Sequence, residues 1–194
     1  MNRVHRWYCR SNHWRRRLEA EMLPWVFDGL AWDPAAPVLE LGPGPGLTTA
    51  WLRDRCADLK CLEIDDRLAR QLQSRLGSNK LQVYIGDATR MPFGERRFTT
   101  VLSFTMLHHL ASPSLQNDLF AETYRVLKPG GVFAGIDSRE SFRLRLFHLG
   151  DTMMPIEPAQ LPARLRAAKF EQVRVDLQDG RFRFQARRPP RRTG

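Results

Sequence analysis

The sequence predicts an α/β domain built on a seven-stranded, mostly parallel sheet with helices on both faces. One strand is antiparallel and comes from a C-terminal β-hairpin. Three observations carry this. Short apolar runs alternate with helical periods from residue 38 onward, and strands that are apolar throughout belong to a sheet covered on both sides. A glycine- and proline-rich turn separates the first run from the first helix. The last two strand-like runs are joined only by a tight turn containing Asp179-Gly180, which links antiparallel neighbours.

The elements follow in order. Residues 11–23 read as a helix, with Ser11 as N-cap and Trp14, Leu18 and Met22 on one face at i, i+4, i+8, until Pro24 interrupts or bends it. Residues 32–37 (WDPAAP) form a linker. Strands are expected at residues 38–41, 59–64, 81–85, 98–103 and 132–137. A helix around residues 47–55 follows the first strand. The helix after the second strand stacks Leu68, Leu72 and Leu76 and stops at Gly77. A helix around residues 115–127 turns Leu115, Leu119, Tyr124 and Leu127 toward the sheet, and Lys128-Pro129-Gly130-Gly131 turns the chain into the fifth strand. A helix near residues 162–169 precedes the hairpin strands, 172–176 and 181–186. The organisation is then an N-terminal helical cap (1–31), a main domain (32–186) and a basic tail (187–194).

Composition sets bounds on function. The chain has 194 residues, enough for one domain with a real core. No apolar run approaches the roughly 20 residues of a membrane span, and the Arg- and Trp-bearing N-terminus lacks a signal-peptide core, so a cytoplasmic location is expected. Three cysteines, Cys9, Cys56 and Cys61, without a C-x-x-C pair, argue against disulfides and a zinc site. The net charge of +10 is placed unevenly: residues 1–30 hold six Arg against three acids, and residues 181–194 hold six Arg and no acid. Such ends can bind nucleic acid or simply be solvated.

The strongest local motif is Glu40-Leu41-Gly42-Pro43-Gly44-Pro45-Gly46, between a strand and a helix. Its glycines let the backbone pass close to a ligand, and the first helical N–H groups can meet a negative group. The dinucleotide fingerprint G-x-G-x-x-G/A needs a small residue where Leu47 stands, and no phosphate-cradling P-loop is present. Glu63 ends the second strand, about 20 residues beyond the glycines, where an acid accepts from ribose hydroxyls. Asp65 and Asp66 suit the N-cap and first turn of the next helix. Gly86-Asp87-Ala88 follows the third strand, and Ser103-Phe104-Thr105-Met106-Leu107-His108-His109 follows the fourth.

With these motifs in this order, the chain resembles the class I S-adenosylmethionine-dependent methyltransferases, from about residue 38 to residue 186, and the resemblance implies a Rossmann-like fold. It implies S-adenosylmethionine as cofactor, with Glu40 near its amino group and Gly42, Gly44 and Gly46 wrapping the methionine part. It also implies Glu63 on the ribose, Asp87 on the adenine amine, the Ala88 N–H on a ring nitrogen, and Ser103 and Phe104 beside the sulfur. The fourth motif lacks the Asn/Asp-Pro-Pro-Phe/Tyr pattern of nucleobase amine methylation and the Pro-Cys pair of cytosine C5 attack. Glu63-Ile64-Asp65 is similar to ribosomal RNA adenine dimethylases, whereas Leu107-His108-His109-Leu110 is similar to the small-molecule branch that includes quinone-biosynthesis enzymes.

Methyl transfer needs a nucleophile held in line and, for some acceptors, a base. His109 and His108 are the candidate bases, no metal is expected, and the acceptor is expected to be a small molecule. Residues 138–160 could line its pocket through Phe142, Leu146, Phe147, Met153, Met154 and Ile156, with Arg139, His148 and Asp151 as polar contacts. Trp7 and Tyr8 could close over the cofactor. Three alternatives stay open: an RNA or polyanion methyltransferase using the basic ends, a non-catalytic cofactor-binding protein, and a nucleotide-dependent oxidoreductase weakened by Leu47.

Overall fold

The computed structural model describes residues 11–141, 145 and 153–191. Seven strands form one sheet: β1 (Val38–Leu41), β2 (Leu59–Glu63), β3 (Leu81–Ile85), β4 (Phe98–Phe104), β5 (Leu127–Ser138), β6 (Glu171–Gln178) and β7 (Arg181–Arg187). Their order is β3-β2-β1-β4-β5-β7-β6. β7 is antiparallel to both β5 and β6, and the other six strands run in one direction. The expected Asp179-Gly180 turn has both residues at positive φ, 46° and 75°, the geometry that matches the twist of a two-residue hairpin.

Apolar side chains pack in two layers, one on each face. Leu39, Leu41, Val101 and Phe133 join Leu119 and Phe120 of α5 (Pro113–Val126) and Leu161 and Leu165 of α6 (Leu161–Ala167). Val38, Leu59, Leu102 and Ala134 face the other way, toward Leu52 of α3 (Leu47–Arg53) and the N-terminal helix. Alternate strand residues therefore serve opposite layers, as the pleat requires. Between β2 and β3 runs α4 (Asp66–Leu76), whose N-cap Asp65 accepts from the Leu68 N–H and which ends at Gly77.

Three expectations need correction. Of the face expected for this helix, Leu119 of α5 is buried and Tyr124 packs half-buried against the core, but Leu115 is 36% exposed, and Gln116, Phe120, Thr123 and Val126 complete the buried side. Phe120 is fully buried on that side. Leu127 already belongs to β5, and the ladder jumps from Phe98–Leu127 to Thr100–Val132, so the Lys128–Gly131 turn sits as an irregularity inside the strand. Finally, the segment expected as a tail begins within the fold. Arg187 closes β7, the Arg188 N–H donates to the Gly131 carbonyl (2.9 Å), and the Arg188 side chain donates to the carbonyls of Tyr124, Arg125 and Leu127.

The N-terminal helix runs as α1 (Asn12–Arg17), a wider π turn (Leu18–Met22) and α2 (Leu23–Phe27). The Leu23 N–H reaches back five residues to the Leu18 carbonyl. Pro24 cannot donate, and its ring crowds the carbonyl four residues earlier; the π turn opens the helix at that point, so the chain continues through the proline. Leu18, Met22, Leu23 and Val26 are buried against the sheet. The arginines of β7 fasten this segment: Arg183 donates to the Trp25 carbonyl and pairs with Asp176, Arg187 donates to the Ala31 carbonyl, and Arg181 lies over the Trp14 ring. Much of the C-terminal positive charge is thus used internally.

Candidate active site

The strand order reverses between β1 and β4, and such a reversal opens a crevice at the carboxyl ends of the strands. A cavity of about 400 Å³ lies there, lined by the loops after β1, β2, β3 and β4. Gly42, Gly44 and Gly46 all have positive φ. At Gly42 a Cβ would collide with the Met106 side chain, so only glycine lets the β1 and β4 loops meet. Gly46, at the N-cap of α3, packs against Leu72 without room for a side chain.

The acids divide into different environments. Glu63 is nearly buried, with its carboxylate held by the Gly44 N–H (2.9 Å) and the Asp65 N–H (3.0 Å), one on each oxygen. Each oxygen keeps a second lone pair, and Glu63 lines the cavity. Asp87 also lines it; one carboxylate oxygen accepts from the Thr89 N–H and hydroxyl, both at 2.8 Å, which fixes the side chain and leaves the other oxygen unbonded among the described residues. Glu40 points elsewhere. Val38 and Glu40 share a strand face, and Glu40 is turned under α3, accepting from the Thr48 and Thr49 hydroxyls and the Cys61 thiol. Burial raises its pKa above the ordinary carboxylate value, against the lowering effect of those three donors. The same surroundings push the Cys56 thiol up to about 12 and Cys61 well above its ordinary value, chiefly by burial.

The β4 end supplies the histidines. His109 lines the cavity, whereas His108 is buried beneath it, with the two ring centroids 4.2 Å apart. His108 Nδ1 lies 2.5 Å from Asp137 Oδ1, at the end of β5. Burial alone would raise the Asp137 pKa, but the charge and hydrogen bond of His108 and the Ser138 N–H together hold it below the ordinary value. Thr105, in the cavity wall, has φ +50°, a strained conformation for a β-branched residue of the kind that collects at functional sites. Trp14 and Leu18 of the N-terminal helix close one side.

Of the residues singled out from sequence, Gly42, Gly44, Glu63, Asp87, Ala88, Phe104 and His109 meet at the cavity, and Glu40, Gly46, Ser103 and His108 do not line it. Ser103 is fully buried, its hydroxyl without a hydrogen-bond partner. Asp137 was not anticipated, although an acid closing an apolar strand is the same signal that marks Glu63. Trp14 and Leu18 were seen only as an apolar stripe. Trp7, Tyr8, Cys9, Phe142, Leu146, Phe147, His148 and Asp151 lie outside the described residues. Among the described residues no group of His, Cys, Asp and Glu could hold a metal, and no helix is long and apolar enough to cross a membrane.

Residues 39–135 match the model of the methyltransferase domain family. The chain belongs to the class I S-adenosylmethionine-dependent methyltransferases. Among relatives of this chain, an uncharacterized methyltransferase of Synechocystis sp. is 34% identical over 115 residues, 57% of this chain and 50% of the relative. A Mycolicibacterium smegmatis protein named as an S-adenosylmethionine-dependent methyltransferase is 27% identical over 169 residues, 83% of this chain and 60% of the relative. The chain thus spans about half the length of the curated relatives it matches. In fold it is similar to the methyltransferase in the complex with the Haloferax volcanii Trm112 methyltransferase activator, with a TM-score of 0.75 at 17% identity, covering 97% of this chain and 99% of that one.

Proposed function

We propose that this chain transfers a methyl group from S-adenosylmethionine to a small-molecule acceptor, in the cytoplasm. One observation carries the reading: the loops of four neighbouring strands ring a single cavity, and Glu63 and Asp87 each turn to it an anchored carboxylate with lone pairs still to offer. These residues fit the cofactor. Glu63 would hold the ribose hydroxyls, Asp87 the adenine amine, and the Gly42–Gly44 backbone the amino-acid end, with Ala88 and Phe104 completing the wall. When bound, the cofactor supplies an electrophilic methyl group on a sulfonium sulfur.

The protein's own work is to position the acceptor and to take a proton where one is released. His109 is the base we assign, because it lines the cavity and an imidazole can both take up and release a proton. His108, paired with Asp137 and stacked near His109, holds that ring in place. Glu40 acts indirectly, by anchoring Thr48 and Thr49 in the first turn of α3 beneath the glycine loop. The N-terminal helix acts as a cap through Trp14 and Leu18. The buried, unpaired Cys56 and Cys61 suit a reducing compartment.

Calorimetry with S-adenosylmethionine, S-adenosylhomocysteine and NAD tests the reading: the two sulfur nucleosides bind and NAD does not. Labelled methyl donor incubated with metabolite extract, and separately with RNA, then sorts the acceptors; label entering RNA alone removes the small-molecule reading. His109→Ala is expected to lower turnover by about 10²–10⁴-fold with S-adenosylhomocysteine affinity unchanged, and full activity in this variant ends the base assignment.

A further inference from the structure

Beside the cavity runs a groove whose walls are α1 and α4 and whose floor is the end of the glycine loop. The groove and the cavity share Pro45, Leu47, Asp65 and Leu68, so they are continuous. Four arginines line it: Arg15 from α1, and Arg67, Arg70 and Arg75 from α4. Asp65 is the one acid in the lining, and its carboxylate already caps α4. Arg70 is partly neutralised by Asp66 at 2.9 Å. Arg75 donates to the Pro45 carbonyl, which fixes its guanidinium over the groove floor while leaving further N–H donors. The side chains of Arg15 and Arg67 are exposed and make no hydrogen bond or ion pair among the described residues.

Guanidinium groups lining one concave surface add up to a positive potential that gathers anions. Their planar, multiply donating heads match phosphate oxygens in particular. We propose that this groove seats a phosphoester or pyrophosphate group of the methyl acceptor, carried at a distance from the atom that is methylated. The proposal rests on the methyltransferase reading and narrows its acceptor to an anionic, phosphorylated small molecule. The cavity itself, about 400 Å³, is near the lower end for a ligand site and is filled by one ligand. The remote part of an acceptor therefore needs other space, and the groove adjoins it. A nucleic-acid strand is disfavoured, because the arginines of β7 and the one directly after it, which a long basic track would recruit, are spent on internal bonds: Arg183, Arg187 and Arg188 donate to main-chain carbonyls and Arg181 lies over Trp14.

The test is calorimetric titration at low salt, with pyrophosphate and with a short oligouridylate as probes, on the whole chain and on the double variant Arg15→Ser, Arg67→Ser. S-adenosylhomocysteine is titrated into both proteins. Pyrophosphate is expected to bind the parent chain and to lose at least about tenfold in affinity in the double variant, with S-adenosylhomocysteine binding equally well to both. Equal pyrophosphate affinity in the two proteins overturns the proposal. So does an absence of binding at millimolar pyrophosphate, or binding of the oligouridylate alone through the same two arginines. A chain that binds pyrophosphate through them but ignores S-adenosylhomocysteine keeps the anion site and loses the methyltransferase reading, so the two failures are distinct.

Discussion

Glu40 and Asp137 are both about 1% exposed, each on a strand of the same sheet, yet the protein handles their charges in opposite ways. Glu40 meets two hydroxyls and a thiol, with no cation beside it among the described residues, and burial pushes its pKa up. Asp137 meets an imidazole and two backbone amides, those of His108 and Ser138, and its pKa is held down despite the same burial. A buried carboxylate costs free energy unless it is neutralised or paired. The first acid is disposed to take a proton, the second to share one. Glu63 stands between them: its oxygens are anchored by amides, yet it lines the cavity and each oxygen keeps a second lone pair.

The sharpest way to break this contrast is to remove one partner of the Asp137–His108 pair. Asp137→Ala strands a buried imidazole, and urea unfolding should show a loss of about 3–5 kcal/mol, typical of breaking a buried pair. Asp137→Asn keeps a hydrogen bond to Nδ1 and should lose less. A loss below about 1 kcal/mol in Asp137→Ala would mean that the pair is no more than a surface-like contact. Because the Asp137 pKa is depressed on folding, its contribution is present above the ordinary aspartate range, about 3.9, and fades as the pH falls through the folded value. The stability gap between the parent and Asp137→Asn should therefore narrow in acid.

Glu63→Ala ranks next and separates ligand binding from folding. A hydrogen bond to a charged group is worth about 1.5–3 kcal/mol, so S-adenosylhomocysteine affinity should fall by roughly 10–100-fold. Unchanged affinity would move Glu63 into the same structural class as Glu40.

The contrast also explains what could be read from the sequence. Strand positions, the hairpin and the Gly42–Gly46 loop follow from apolar runs and turn chemistry, which are local properties. Glu63 and Asp87 were legible because one ends a strand and the other closely follows one, both at the cavity edge of the sheet. The location of Glu40 was not, since it also stands in a strand directly before the glycine loop; what turns it under α3 is the pleat, together with two threonines that only the folded helix brings near. Asp137 went unnoticed because its partner, His108, is 29 residues away in the chain, and nothing local marks the pairing. The arginines of β7 likewise looked like a solvated basic end. Their carbonyl acceptors at Trp25 and Ala31 lie more than 150 residues earlier, so their use as fasteners belongs to tertiary structure alone.

The smallest effect is the most discriminating. Glu40→Gln resembles the protonated acid in shape, and the Thr48 and Thr49 hydroxyls can rotate to accept as well as donate. Near the ordinary glutamate pKa the two proteins should differ by less than about 1 kcal/mol, the worth of one ordinary hydrogen bond. The sign then follows from linkage. Glu40 has a folded pKa above 4.5, so the stability it gains from holding its proton is full below the ordinary value and is lost as the pH rises through the folded one. Glutamine has no proton to lose. From mildly acidic to neutral pH, Glu40→Gln should therefore gain stability relative to the parent, whereas the deficit of Asp137→Asn is already fully developed and stays constant over that range. If both curves instead run parallel, Glu40 is ionised in the fold, and its three donors outweigh its burial.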